Sequence, residues 1–215
     1  MVCKETMNRT TMDKSAETLL RLLDIAINGR ACDMINNVDW QSVMNLSQMQ
    51  GVRGLAYEAL EILRQNDATC YSFPDRMTLT QWYAQTVFVE KRNAQYTDWV
   101  KKVVELWKEH DIKTIVFKGL AHGRYYPKPA HREFGDFDCY LMDAHGNCAY
   151  RQGNEIARDK GMMVEDGWYK HSHIGYRNLT VENHRYFTSA RCGGTDLALD
   201  KYMVEAVKNC SQLER

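Results

Sequence analysis

The sequence predicts an α+β fold, with an N-terminal helical region followed by a mixed β-sheet flanked by helices. Three observations lead there. Through the first half of the chain, apolar residues recur at three- and four-residue steps, the spacing of a helix face. After Asp111 the pattern changes to short β-branched and alternating runs, the spacing of strands. Only three prolines occur in 215 residues, so no proline-rich linker separates the two halves. The length suits one large domain, or a small helical domain with a second one. The expected division is a helical region over 1–74 and a core with its long leading helix over 75–215.

Residues Met1 to Lys14 are polar and are expected to fray. Ser15 is expected to cap a helix that carries Leu19, Leu20, Leu22, Leu23 and Ala26 and stops at Asn28-Gly29. A second helix starts at Asp39 and ends near Gly51, and a third carries Leu55, Ala56, Ala59, Leu60 and Leu63. The segment Gln65 to Pro74 is turn-like. From Asp75 to about Lys108 one stripe (Leu79, Trp82, Thr86, Val89, Asn93, Tyr96, Val100, Val103, Trp107) marks a single long helix. Its charged residues Lys101, Lys102, Glu105, Lys108 and Glu109 form a solvated face. Thr114 to Phe117 reads as a buried strand, Leu120 to Tyr125 as a short helix, and Phe137 to Met142 as a second strand. Asn147 to Lys160 reads as a helix closed by Gly161. Leu179 to His184 alternates as a strand, with a partner within Trp168 to Tyr176. Asp196 is expected to cap a last helix.

Bulk properties narrow the function. The 28 basic and 28 acidic residues cancel, and the sequence pI is about 7.0. Phosphate-backbone binding draws on an excess of Lys and Arg, so nucleic acid is not a favoured partner. Seven cysteines, an odd number without CxxC spacing, argue for free thiols in a reducing compartment. Neither a signal peptide nor a run of roughly 20 apolar residues is found. A cytoplasmic protein without a membrane partner is expected.

The chemistry concentrates at Gly135-Asp136-Phe137-Asp138. Residues two apart on a strand share a face, so Asp136 and Asp138 set two carboxylates side by side at a strand start. Such a pair is unfavourable unless a cation offsets it. Hard oxygen ligands at a loop–strand junction suit Mg²⁺, and Gly135 leaves room for a ligand near the backbone. The same DxD spacing also occurs as two solvated carboxylates. His171 and His173, with His184 on the next strand, are a candidate zinc set; an orienting or surface role is the more common one for such histidines.

The span Phe117-Lys118-Gly119, Tyr125-Tyr126-Pro127, Pro129, Arg132 and Gly135-Asp136-Phe137-Asp138 resembles a family of uncharacterised bacterial nucleotidyltransferases, a branch of the polymerase-β-like nucleotidyltransferase superfamily. Val181-Glu182-Asn183-His184 resembles that family's later strand. The resemblance implies a nucleotidyltransferase-like sheet with Asp136, Asp138 and Glu182 as catalytic and metal-binding carboxylates. It implies Lys118, Gly119, Arg132 and Gly135 as nucleotide-binding positions. It further implies two Mg²⁺ ions, an NTP substrate and phosphoryl transfer of a nucleoside monophosphate to an unknown acceptor. The alternative is an inactive nucleotide-binding or regulatory module of the same fold. A toxin-type transferase acting on tRNA or protein is a third reading. The sequence departs from the pattern in three ways. Lys118-Gly119 stands where the superfamily usually has Gly-Ser, and Asn183 replaces an apolar residue. The chain ends soon after Glu182, so a C-terminal acceptor-binding part is expected to be reduced or missing.

Overall fold

The computed structural model describes residues 13–29, 36–66, 72–188 and 194–209. They group into two compact units, Met1–Val89 with Tyr126–His131, and Glu90–Tyr125 with Arg132–Arg215.

The first unit is helical. It holds α1 (Lys14–Asn28), α2 (Trp40–Met49), α3 (Arg53–Gln65) and the first part of α4 (Arg76–Lys108). Leu22, Val43, Ala56, Leu60 and Trp82 are buried in its core. The Trp82 indole NH donates to the Arg53 carbonyl at 3.1 Å, so this bulky side chain is buried with its polar atom satisfied. The cap of α1 is Asp13 rather than Ser15: its carboxylate accepts from the Ser15 NH, and the helix begins at Lys14. Gly29 ends α1 in the left-handed conformation, as the Asn28-Gly29 pair predicts. Asp39 caps α2 as expected.

The second unit is a five-stranded sheet with helices. Its strands are β1 (Lys113–Val116), β2 (Asp136–Met142), β3 (Met163–Glu165), β4 (His171–Tyr176) and β5 (Leu179–His184), in the order β1-β2-β5-β4-β3. β2 and β5 run parallel and the other neighbours are antiparallel, so the sheet is mixed. The helices are α5 (Gly119–Gly123), α6 (Tyr150–Asp159) and α7 (Gly194–Asn209), with the second part of α4. Strand alternation divides the sheet into two faces. Phe137, Cys139, Leu141, Ile174 and Val181 pack on one face with Trp99, Val103 and Trp107 of α4 and Ala157 of α6. Asp136, Asp138, Tyr140, Thr180, Glu182 and His184 take the other.

Several boundaries differ from expectation. α5 runs from Gly119 to Gly123 rather than Leu120 to Tyr125. α6 starts at Tyr150, because Asp143 holds a turn ahead of it through the NH groups of His145 and Asn147. α7 begins at Gly194, which puts Asp196 in its first turn instead of at the cap. β3 lies outside the sequence expectations altogether. Most of Met1 to Lys14, the middle of Gln65 to Pro74 and five of the seven cysteines fall outside the described residues; Cys139 is a buried free thiol and Cys148 an exposed one. Among the described residues no helix is long and apolar enough to cross a membrane.

Asn183 departs from an apolar pattern, and its surroundings give the reason. It points to the core face, where its amide NH₂ donates to the Tyr150 carbonyl at 3.0 Å and to Asn154 Oδ1 at 2.8 Å. Ser172 donates to the same Asn154 oxygen at 2.7 Å. A buried polar group is tolerated when it is bonded. Here the bonds tie α6 to β4 and β5.

Candidate active site

The site is built on the polar face of β2 and β5. The parallel register sets Asp136 opposite Thr180, Asp138 opposite Glu182 and Tyr140 opposite His184. Directly paired residues point the same way, so the first and third candidate ligands of the DxD stretch share their face with Glu182. On the far side of β5, the antiparallel register sets His173 opposite Glu182 and His171 opposite His184. Two carboxylates and three imidazoles thus converge from three neighbouring strands.

Asp138 is 4% exposed, and its Oδ1 meets two protein groups. The Lys118 ammonium donates to it at 2.6 Å, and His184 Nε2 lies 3.1 Å away. Burial pushes the Asp138 carboxyl upward, but the bonds from His184 and Lys118 outweigh it and hold the group below the usual carboxylate range. The cation expected to offset the acidic pair is therefore supplied, in part, by the chain itself. His184 Nε2 also lies 3.2 Å from Glu182 Oε2, so one ring nitrogen joins both carboxylates. His171 Nδ1 faces the same Glu182 oxygen at 3.7 Å, and His173 Nε2 faces Oε1 at 3.5 Å. Burial lowers the His171 pKa, while Glu182 pulls it back up.

Lys118 reaches Asp138 from a costly backbone. It caps α5 at φ 57° and ψ −135°, a region that residues with a side chain avoid. Phe117 just before it bonds through its NH to the Asp138 carbonyl, and its ring packs edge-on against His184 with centroids 4.8 Å apart. Gly119 is buried, and a Cβ there would meet Phe134 and the Asp136 carbonyl at 3.4 and 3.5 Å. The strand-to-helix turn thus lies within ordinary contact distance of β2.

The remaining candidates stand further apart in role. The Asp136 carboxylate is half-buried and forms no hydrogen bond or ion pair among the described residues. A Cβ on Gly135 would meet nothing within 4 Å, so this backbone is open to a ligand. Arg132 fixes its loop through its carbonyl, which accepts from Asn93 at 2.7 Å. Its guanidinium joins no ion pair among the described residues, and Glu133 pairs with Arg92 instead. Sequence reasoning named the histidines and Phe117, but not the aromatic wall beside His184, where Phe117 tilts against Phe187 and Tyr140 stacks on Phe187. Nor did it name Asp200 of α7, which holds the Phe187 and Thr188 NH groups at 2.7 and 3.1 Å.

The family model of an uncharacterised nucleotidyltransferase matches residues 36–212. The chain belongs to this nucleotidyltransferase family. The match includes Lys118, both aspartates and Glu182. No curated protein and no solved structure matches the chain. Membership of a nucleotidyltransferase family supports nucleotidyl transfer in general.

Proposed function

We propose that this nucleotidyltransferase moves a nucleoside monophosphate from an NTP to an acceptor, with Mg²⁺ held by Asp136, Asp138 and Glu182. The observation that carries the reading is the register pair Asp138–Glu182 on adjacent parallel strands, with the Lys118 ammonium seated on Asp138. The donor set fits a hard divalent cation. It offers three carboxylates on one face, one of them without a protein partner, and a protein cation already stands in at Asp138. When bound, Mg²⁺ would neutralise triphosphate charge and acidify the acceptor hydroxyl.

The chain's own groups have separable tasks. Lys118 would exchange Asp138 for a phosphate oxygen, helped by backbone NH groups at Gly119. The acceptor oxygen bonds to the α-phosphorus as the bond from that phosphorus to the α–β bridging oxygen breaks, and pyrophosphate leaves with the bridging oxygen. Glu182 Oε1 would receive the acceptor proton, with His173 Nε2 beside it at 3.5 Å. The His184 ring, packed on Phe117, keeps both carboxylates in position.

The test follows pyrophosphate from each NTP against a panel of hydroxyl and phosphate acceptors, with and without Mg²⁺. Asp138→Asn should abolish turnover, because Asn keeps the shape but loses the charge that holds the ion. The variant should also be modestly less stable, since Asp138 is an ion-pair partner and not merely a repelled neighbour. Equal turnover in wild type and Asp138→Asn would sink the metal mechanism. One observation favours a second reading, an inactive nucleotide-binding module. Lys118 and His184 satisfy Asp138 internally, so the carboxylate face needs no ion to be stable. Tight Mg²⁺–NTP binding without pyrophosphate from any acceptor is the outcome that reading expects.

A further inference from the structure

The tightest group of ligand-type side chains is not the carboxylate set. One ligand atom from each of His171, Glu182 and His184 lies within 4.8 Å of the others. At the Glu182 oxygen the separations are 3.2 Å to His184 Nε2 and 3.7 Å to His171 Nδ1. Ligands about 2.0–2.1 Å from a tetrahedral Zn²⁺ stand about 3.3 Å from one another, so these atoms need little movement to close on an ion. We propose that His171, Glu182 and His184 bind one divalent transition-metal ion of borderline softness, Zn²⁺ or Co²⁺ in type, in preference to Mg²⁺.

Four features support this. Two imidazole nitrogens and a carboxylate form a donor set for Zn²⁺ and its neighbours, whereas Mg²⁺ prefers oxygen ligands and retained water. Strand pairing fixes the set, because His171 is the register partner of His184 and Glu182 lies two residues before it on β5. The rings are also buttressed: Phe117 packs on His184, and Trp168 stacks on His171 with centroids 6.3 Å apart. Finally, His171 Nδ1 is a buried ring nitrogen without a hydrogen-bond partner, aimed at Glu182. Such an orphaned atom calls for an explanation, and a bound ion is one. The remaining positions of such an ion would face Asp138 and the open side of the sheet, since His184 Nε2 touches both carboxylates.

The site shares Glu182 and His184 with the proposed transfer site, but it is tested without nucleotide. Full-length protein, stripped with a chelator, is titrated with Co²⁺ under reducing conditions and followed by visible absorption, with Zn²⁺ and Mg²⁺ as competitors. The expected result is one tightly bound Co²⁺, displaced by Zn²⁺ and not by excess Mg²⁺. His171→Ala should weaken binding by at least about tenfold, since even outer-shell losses cost that much. Its apo melting curve should stay near that of wild type, because His171 is only half-buried. His171→Asn, closer in volume, serves if the Ala variant unfolds. Three outcomes would overturn the proposal: no Co²⁺ bound, unchanged affinity in a folded His171 variant, or an equal loss in Asp136→Asn. The second outcome would remove His171 from the site, and the third would assign the ion to the aspartate pair. Mg²⁺–NTP affinity, measured separately, reports on the transfer reading. If NTP binding is absent while Co²⁺ binding depends on His171, transfer fails and this site stands.

Discussion

Lys118 concentrates the local cost of the site in one residue. Its backbone lies where a Cβ is unfavourable, and its ammonium is 2.6 Å from a buried carboxylate. Such strain is of order 1–3 kcal/mol and persists only where surrounding contacts hold it. Glycine tolerates this conformation, so the two obvious substitutions should part company. Lys118→Ala loses the ion pair and keeps the strain, while Lys118→Gly loses both. The glycine variant should therefore be more stable than the alanine variant by about 1 kcal/mol, and both should bind NTP more weakly than wild type. Paired denaturant titrations and nucleotide binding check this; equal stability of the two variants would mean the turn is unstrained. The Lys-Gly pair and the DxD stretch were legible in the sequence because their neighbours in the chain are also their neighbours in the site. The convergence of His171 on His184 was not. It depends on the β4–β5 register, and that register is set at a turn where Arg177 adopts φ 57° without a glycine to announce it.

At the scale of elements, long amphipathic helices were readable and short edges were not. α4 spans 33 residues, and its apolar stripe announces it. β3 has three residues, with only Val164 half-buried between two exposed neighbours, so it offers no period to detect. The helix starts make a pH-dependent prediction. Asp39 accepts from the Ser42 hydroxyl and NH at 2.7 and 3.1 Å, and Asp75 accepts from the Thr78 NH and hydroxyl at 2.8 and 3.1 Å. These bonds lower both carboxyl pKa values, led by the Ser42 hydroxyl for Asp39 and by the Thr78 NH for Asp75. A depressed folded pKa adds stability that is present above the unfolded value, about 3.9, and is lost as pH falls through the folded value. Asn also caps well but does not titrate. The double variant Asp39→Asn/Asp75→Asn should lose less stability between pH 6 and pH 3 than wild type, read from denaturant midpoints. An unchanged acid limb would remove these caps as its cause. Packing of α6 makes a second prediction. A Cβ on Gly153 would collide with Leu141 Cδ1, and Leu141 is fully buried, so that methyl has nowhere to go. Gly153→Ala gains helix propensity but overpacks the core, and should destabilise by about 1–3 kcal/mol. A rise in melting temperature would show that Leu141 has room to turn.

At the scale of the whole molecule, the family match runs from residue 36 to residue 212, yet every candidate ligand lies in the second compact unit. That helices precede the sheet was legible because short β-branched and alternating runs first appear after Asp111. The function was less so. The carboxylates carry their signal in a short span, whereas ligand preference arises from three strands brought together by pairing. This distribution predicts where a ligand is felt. If Mg²⁺–NTP binds the face of β2 and β5, linkage stabilises the native state by RT ln(1 + [L]/Kd), about 2.7 kcal/mol at a hundredfold excess over Kd. Amides that exchange by opening the second unit should then slow by roughly a hundredfold. Hydrogen exchange should show protection over β1, β2, β5 and Phe117 to Gly119. Amides of α1, α2 and α3, which hold no candidate ligand, should change far less. Lys118→Ala should shrink the protection at a given NTP concentration by weakening binding, without moving the pattern. The decisive comparison is between the units: protection confined to α1, α2 and α3 would place the nucleotide away from Asp138 and Glu182, whatever the assay for pyrophosphate reports.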